Sequence, residues 1–257
     1  MNVQCIVVIL CLLAYQAYAM PAETKYLNAS EFEKCPEDAN AAGDCIAKII
    51  NTLLPRLRLG DPELNIPAYD PFLIDKLSFQ YSSGAVNGRI SVRNVKLYGI
   101  VGIKIQKIDV KRDNNKIQLR IYTHQPNINI LGDYKADMHV NQLQLKPKGK
   151  FNLTLFDVQT TVNTEGEIYT KDDGKRFLRL IDIEANPKIG DMIIKANGIF
   201  PDPELDEIAL NVANNYWRDI YGIILPETRK SWVPLLLRLI NQALLKVPID
   251  EFTSRSN

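Results

Sequence analysis

The sequence predicts an α+β domain in which a long, broadly apolar helix near the C-terminus is covered by a highly curved antiparallel β-sheet. Three observations predict it. Apolar residues recur with a helical period at both ends of the chain and with period two over the stretch between them. Turn-forming residues punctuate that middle stretch at strand-like intervals. The C-terminal helix carries an apolar stripe too wide for a surface helix, so a concave partner must cover it.

Composition fits one substantial core. The chain has 257 residues, 46% hydrophobic and 24% charged, which is too apolar for an intrinsically disordered protein. Thirty-one Lys and Arg against thirty Asp and Glu leave a formal charge of +1, so no global field favours nucleic acid or an anionic membrane. Two His and four Cys are little material for a zinc or multi-histidine centre, and neither metal nor cofactor is expected.

The N-terminus reads as a targeting signal. The apolar run Cys5 to Ala14 is about half of the ~20 residues a spanning helix needs. Ala17-Tyr18-Ala19 supplies the small-x-small pattern of a cleavage site, although no Lys or Arg precedes the run. Residues 1–19 are therefore expected to be a signal peptide and residues 20–257 a single secreted domain. Pro234 and Arg238 interrupt the other apolar run, Trp232 to Ile240, so no integral span is expected. Cleavage removes Cys5 and Cys11. Cys35 and Cys45 then remain in an oxidising compartment, which predicts one disulfide, with a pair of free buried thiols as the alternative. Closing so short a loop stabilises by roughly 2.5 to 3 kcal/mol in the chain-entropy model.

From Ile46, apolar residues at Ile49, Ile50, Leu53, Leu54 and Leu57 mark one face of a helix that Pro55 kinks or ends and Gly60-Asp61-Pro62 stops. A proline-punctuated connector runs on to Phe72. Between Leu77 and about Phe200 the period becomes two: Ile117, Leu119, Ile121; Ala136, Met138, Val140; Phe151, Leu153, Leu155; Val158, Thr160, Val162; and Ile194, Ala196. Turns are expected at Asn87-Gly88, Asp113-Asn114-Asn115, Lys148-Gly149, Asp172-Asp173-Gly174 and Lys188-Ile189-Gly190, giving about six to eight strands. After Pro203 one helix is expected to bury Leu205, Ile208, Ala209, Val212, Ala213, Tyr216, Trp217 and Ile220. A second, from about Pro226 to Lys246, carries Trp232, Leu235, Leu236, Leu239, Ile240, Ala243 and Leu244.

Catalytic signals are weak. There is no Gly-x-Ser-x-Gly elbow. Asp137 and His139 share one strand face, a spacing that fits a metal or acid-base pair but more simply a polar outer face with Met138 inward. Asp172-Asp173-Gly174 lacks the remaining ligands of a calcium loop and reads as a hairpin turn. The basic clusters Lys104, Lys107, Lys111, Arg112 and Lys146, Lys148, Lys150 read first as solvated surface and second as contacts for a membrane or receptor. Asn28 and Asn152 begin glycosylation sequons, Asn28 near the terminus and Asn152 inside a strand.

Three ordered blocks then carry a family resemblance. Cys35, Cys45 and Gly60-Asp61-Pro62-Glu63-Leu64-Asn65-Ile66-Pro67, followed by Asp70-Pro71-Phe72, resemble the N-terminal signature of insect takeout and juvenile-hormone-binding proteins. Lys148-Gly149-Lys150-Phe151-Asn152-Leu153-Thr154-Leu155 is the second block. Asn214-Asn215-Tyr216-Trp217-Arg218-Asp219-Ile220, Leu225-Pro226 and Val247-Pro248-Ile249-Asp250-Glu251-Phe252 form the third. Lysines replace the family's usual glycines at Lys146 to Lys150, and the second cysteine pair of lepidopteran hormone-binding members is missing. The chain therefore looks more like a takeout-type member.

The resemblance implies an internal hydrophobic tunnel and extracellular carriage of a small lipophilic ligand, such as a terpenoid, fatty-acid-like or juvenile-hormone-like molecule, with no catalysis. The implied wall comprises Leu119, Ile121, Met138, Val140, Phe151, Leu153, Leu155, Trp217, Ile220, Trp232, Leu235 and Leu239. The alternative is a secreted interaction or signalling protein of the same fold, with a filled core or a structural lipid.

Overall fold

The computed structural model describes residues 31–36, 39–62, 66–83 and 86–253, without the side chains of residues 39, 40, 83 and 140. The expected signal peptide and Asn28 lie outside the described residues. The first helix, α1 (Ala39–Leu53), begins before Ile46 and passes into a 3-10 turn at Leu54–Leu59. Pro55 has no N–H to continue the α-helical ladder, so the tighter turn follows from it. Gly43 lets α1 approach the sheet closely: a Cβ there would lie 1.9 Å from the Ile108 carbonyl oxygen.

The sheet has seven antiparallel strands: β1 (Phe72–Ser83), β2 (Val86–Tyr98), β3 (Lys104–Asp113), β4 (Lys116–Val140), β5 (Leu143–Leu145), β6 (Lys148–Thr170) and β7 (Arg176–Ala196). Their order is β1-β2-β4-β6-β7, with β3 and β5 also paired to β4. The expected turns at Asp113-Asn114-Asn115 and Asp172-Asp173-Gly174 are present between strands. Three others are not turns. Asn87-Gly88 lies within β2, Lys148-Gly149 opens β6, and Lys188-Ile189-Gly190 lies within β7. Gly190 serves close approach, since a Cβ there would sit 2.8 Å from the Asp157 Cβ on β6.

Without those turns, β4, β6 and β7 run for 25, 23 and 21 residues. All three shift their apolar phase at one common level, and β7 shifts once more between Leu180 and Ile183, where its pairing with β6 is irregular. Gln125 pairs with Val158 and Asn127 with Phe156, which places Pro126 beside Asp157; Phe156 pairs with Asp191 and Val158 with Ile189, which places Gly190 on the other side. Asp157 has a left-handed φ of 48°. A proline that cannot donate, a left-handed residue and a glycine thus form a line across three strands where the sheet folds. On β6 the apolar positions are Phe151, Leu153 and Leu155 before this line and Val158 and Val162 after it. The two strand segments that the sequence separates are therefore one bent strand.

Helices close the free edges. The boundary between α2 (Pro203–Asn215) and α3 (Trp217–Leu244) falls at Tyr216, not near Pro226, which lies inside α3. The carbonyl that Pro226 leaves without an i+4 donor belongs to Gly222, an exposed residue whose carbonyl is open to water, so the helix continues through the proline. Along β7, Asn241 donates to the Leu180 carbonyl and accepts from its N–H, both at 2.8 Å. Tyr221 Oη donates to the Pro187 carbonyl at 3.1 Å and Arg218 to that of Gly190 at 2.8 Å. At the opposite edge, Ser231 Oγ donates to the Ser78 carbonyl of β1 at 3.1 Å. Because α3 bonds to both edge strands, the sheet curls around it.

The same two-point clamp recurs at Asn214 with Ile194 and at Asn51 with Ile105. Seating α2 on the β7 edge through Asn214 turns part of its expected core face outward, while Ala209 and Ala213 stay half-buried. Leu205, Ile208, Val212 and Tyr216 are 50%, 58%, 50% and 59% exposed. The first and last described segments meet at Cys35, whose N–H donates to the Phe252 carbonyl at 2.7 Å and whose disulfide to Cys45 spans a Cα separation of 5.5 Å.

Candidate functional site

The fold line divides the inner face of the sheet into two unlike halves. Beyond it, Leu180, Ile183 and Ala185 of β7 are buried, and Trp232, Leu236, Leu237 and Ile240 of α3 pack against them. Before it, the apolar rows are contiguous but incompletely covered. Ile130, Leu153 and Ile194 form one cross-strand row and Ile128, Leu155 and Met192 the next, all half-buried. Phe79, Ile90 and Ala136 continue the surface onto β1, β2 and β4, with Ala136 buried.

Period-two geometry places these side chains on one face, and the phase shift at Asp157 keeps them on the face that meets α3. The polar neighbours on this surface are held as neutral groups. Burial pushes the Tyr134 phenol above its ordinary value, and its hydroxyl donates to the Asn197 carbonyl at 3.0 Å. Tyr221 is raised for the same reason. Such a surface can shield an apolar molecule from water.

Of the expected wall residues, Met138, Phe151, Leu153 and Leu155 fall together in the open half. Leu119 and Ile121 lie on the same face beyond the fold line, both half-buried. Trp217 is buried at the start of α3, 4.3 Å beneath the Arg218 guanidinium and edge-on to Tyr221. Ile220 is half-buried one turn later, and Trp232 belongs to the packed cluster. Leu235 and Leu239 are half-buried on α3 outside that cluster. The backbone of Val140 ends β4, while its side chain lies outside the description.

Asp137 is exposed and accepts from Gln144 Nε2 at 2.9 Å, so its partner is an amide rather than His139. His124 Nε2 lies 2.8 Å from Asp157 Oδ1 on the outer side of the fold line. Among the described residues no three His, Cys, Asp or Glu side chains converge as a metal site, and no helix is long and apolar enough to cross a membrane. Asn152 faces outward, its Oδ1 accepting from Asn129 Nδ2 at 2.6 Å. The functional features that sequence reading missed are the asparagine clamps and Arg218. Asn214 and Arg218 do sit in a block that resembles the family, but nothing in the block shows that they hold a sheet edge.

A curved antiparallel sheet closed along its edges by a long helix, with half of its apolar inner face incompletely covered, defines a wrapped-helix binding fold. The family model for haemolymph juvenile hormone binding protein (JHBP) matches residues 5–254, and the chain belongs to that family. The circadian clock-controlled protein daywake of Drosophila melanogaster is 22% identical over 214 residues, which cover 81% of this chain and 82% of that protein. Its Drosophila yakuba counterpart is 23% identical over 216 residues, with the same coverage of 81% and 82%. The crystal structure of Takeout 1 from Epiphyas postvittana matches with a TM-score of 0.72 at 19% identity, covering 87% of this chain and 100% of that one. The two share the fold that the sequence resemblance implied.

Proposed function

We propose that this chain is a secreted carrier that holds a small lipophilic ligand, terpenoid, fatty-acid-like or juvenile-hormone-like, in an apolar tunnel between the open half of the sheet and α3. Membership of a hormone-binding family supports lipophile binding in general. The observation that carries the finer reading is the contiguous inner surface of Ile128, Ile130, Leu153, Leu155, Met192 and Ile194, apolar throughout yet only half-buried. At ~0.8 kcal/mol per buried methylene, a chain of about twelve to eighteen carbons gains roughly 10 to 14 kcal/mol before the costs of association. Such a ligand needs few polar contacts and no chemical step.

The test is a paired one on Leu155→Trp, using protein stripped of endogenous lipid and a fluorescent fatty-acid probe. An open wall accommodates the indole, so the variant unfolds at a urea concentration close to that of the wild type while probe affinity falls about tenfold or more. A closed core is overpacked by the same change and loses roughly 1 to 3 kcal/mol. Unchanged affinity in a folded variant removes Leu155 from the wall. If the wild type takes up no member of a terpenoid and fatty-acid panel, the carrier reading gives way to a filled-core interaction protein.

A further inference from the structure

The outer surface of the open half carries a concentration of positive charge that the neutral chain as a whole conceals. Lys76, Arg93 and Lys150 lie in one cross-strand row, interrupted by Asp133. In the next row Lys135 stands directly opposite Lys148. Arg89 pairs with Asp137 one row further on, while Lys96 and Lys195 flank Leu131 and Asn152 on the other side. All of these cations are exposed, and none forms an ion pair among the described residues. The carboxylates of the face are Asp75, Asp133, Asp137 and, at its border, Asp191. Neutral amides occupy two of them, Asn94 donating to Asp133 at 2.7 Å and Gln144 to Asp137. Eight cations against four carboxylates stand on this face of a chain whose formal charge is +1.

We propose that this face docks the protein onto an anionic lipid bilayer. Like charges placed directly across an antiparallel pair are destabilising, so the Lys135 and Lys148 pairing works against the sheet unless an external anion neutralises it. The array is two-dimensional. With strands about 4.8 Å apart, its five strands span roughly 20 Å, a footprint that suits a plane of headgroups rather than one small anion or one linear polyanion. Lysine outnumbers arginine six to two on this face, whereas protein interfaces are depleted in lysine and enriched in arginine and aromatics. Each cation near an anionic surface adds about 1 kcal/mol, so even part of the array suffices for reversible attachment. Docking uses the opposite side of the sheet from the apolar wall, so it stands or falls independently of ligand carriage.

Co-sedimentation of the purified full-length secreted protein with phosphatidylcholine vesicles, with and without phosphatidylserine, tests the proposal. The protein should pellet with the mixed vesicles, remain in solution with phosphatidylcholine alone, and be released as salt is raised through physiological ionic strength. Combining Lys135→Glu with Lys148→Glu should reduce partitioning at least about tenfold, and Lys150→Glu with Lys195→Glu should do likewise. Lys111→Glu, on β3 beyond the fold line, should leave it unchanged; circular dichroism verifies that each variant is folded. Equal binding to neutral vesicles, binding to neither kind, or full binding by both folded double variants would overturn the proposal. Retention on immobilised heparin without vesicle binding would replace the bilayer with a linear polyanion.

Discussion

On one side of the line through Pro126, Asp157 and Gly190, strands β6 and β7 bury Ile183, Leu180 and Ala185 against α3. On the other side the same strands present Leu153, Leu155 and Ile194 with part of each side chain still accessible. Both segments are equally apolar in sequence, so hydrophobicity alone does not separate them. Coverage does. The later turns of α3 lie over one half, whereas α2 is clamped to the edge of the other and points Leu205, Ile208 and Val212 away. Buried contacts are concentrated where the helix covers the sheet, and incompletely covered apolar surface where it does not.

The largest expected effect compares truncations across the line. Ile183→Ala removes buried methyls from a filled cluster and should cost about 2 to 5 kcal/mol in urea unfolding, because a cavity remains. Leu153→Ala acts at a half-buried position on the incompletely covered face and should cost about 1 kcal/mol or less. Equal losses at the two positions would show that both halves are packed alike and would break the comparison.

The next effect concerns the edge clamps. Asn241→Ala strands the N–H and C=O of Leu180, a residue only 7% exposed, and should cost about 1 to 3 kcal/mol. Asn214→Ala removes the same two bonds from Ile194, but that backbone is nearer solvent and water can substitute, so about 0.5 to 1.5 kcal/mol is expected. Chemical denaturation of the two single variants measures the difference. A larger loss at Asn214 would place the more stable edge in the open half.

Much of the architecture is legible in the sequence because periodicity reports which side chains share a face. The strand rows Phe151, Leu153, Leu155 and Val158, Thr160, Val162 each read correctly. The one-residue offset between them reads as two strands, whereas it marks one strand bent at Asp157. The Gly88 and Gly190 signals look like turns because glycine is also what a close backbone approach requires. The disulfide is legible once Cys5 and Cys11 are assigned to the expected signal peptide and Cys35 and Cys45 are left as the pair. The orientation of α2 is not: Leu205, Ile208 and Val212 form a regular apolar stripe, yet Asn214 fixes the helix by a tertiary bond that no local pattern encodes. The expected wall is legible as a set of faces, and the fold line that separates Leu119 and Ile121 from Phe151, Leu153 and Leu155 depends on pairing across three strands.

The smallest expected effect distinguishes the halves by pH. The joint that leads β7 into α2 is held by Asp206, whose carboxylate accepts from the N–H groups of Gly198 at 3.0 Å, Ile199 at 2.8 Å and Phe200 at 3.1 Å. These bonds, that from Phe200 foremost, hold its pKa below the ordinary carboxylate value. A lowered folded-state pKa means that the unfolded chain binds the proton more readily, so the stabilisation is complete above the ordinary carboxylate range and is lost as pH falls through the folded value. Acid should therefore loosen the edge of the open half while the Asn241 clamp on Leu180, which has no titrating group, holds. Hydrogen-exchange protection of the Gly198, Ile199 and Phe200 amides, corrected for the intrinsic rate at each pH, should decline below the carboxylate range while that of Leu180 stays level. Asp206→Asn retains an acceptor without the charge, so it should weaken protection at neutral pH and abolish the decline. A parallel loss at Leu180 in the wild type would mean that acid loosens the two halves together and that the joint is not where the open half first gives way.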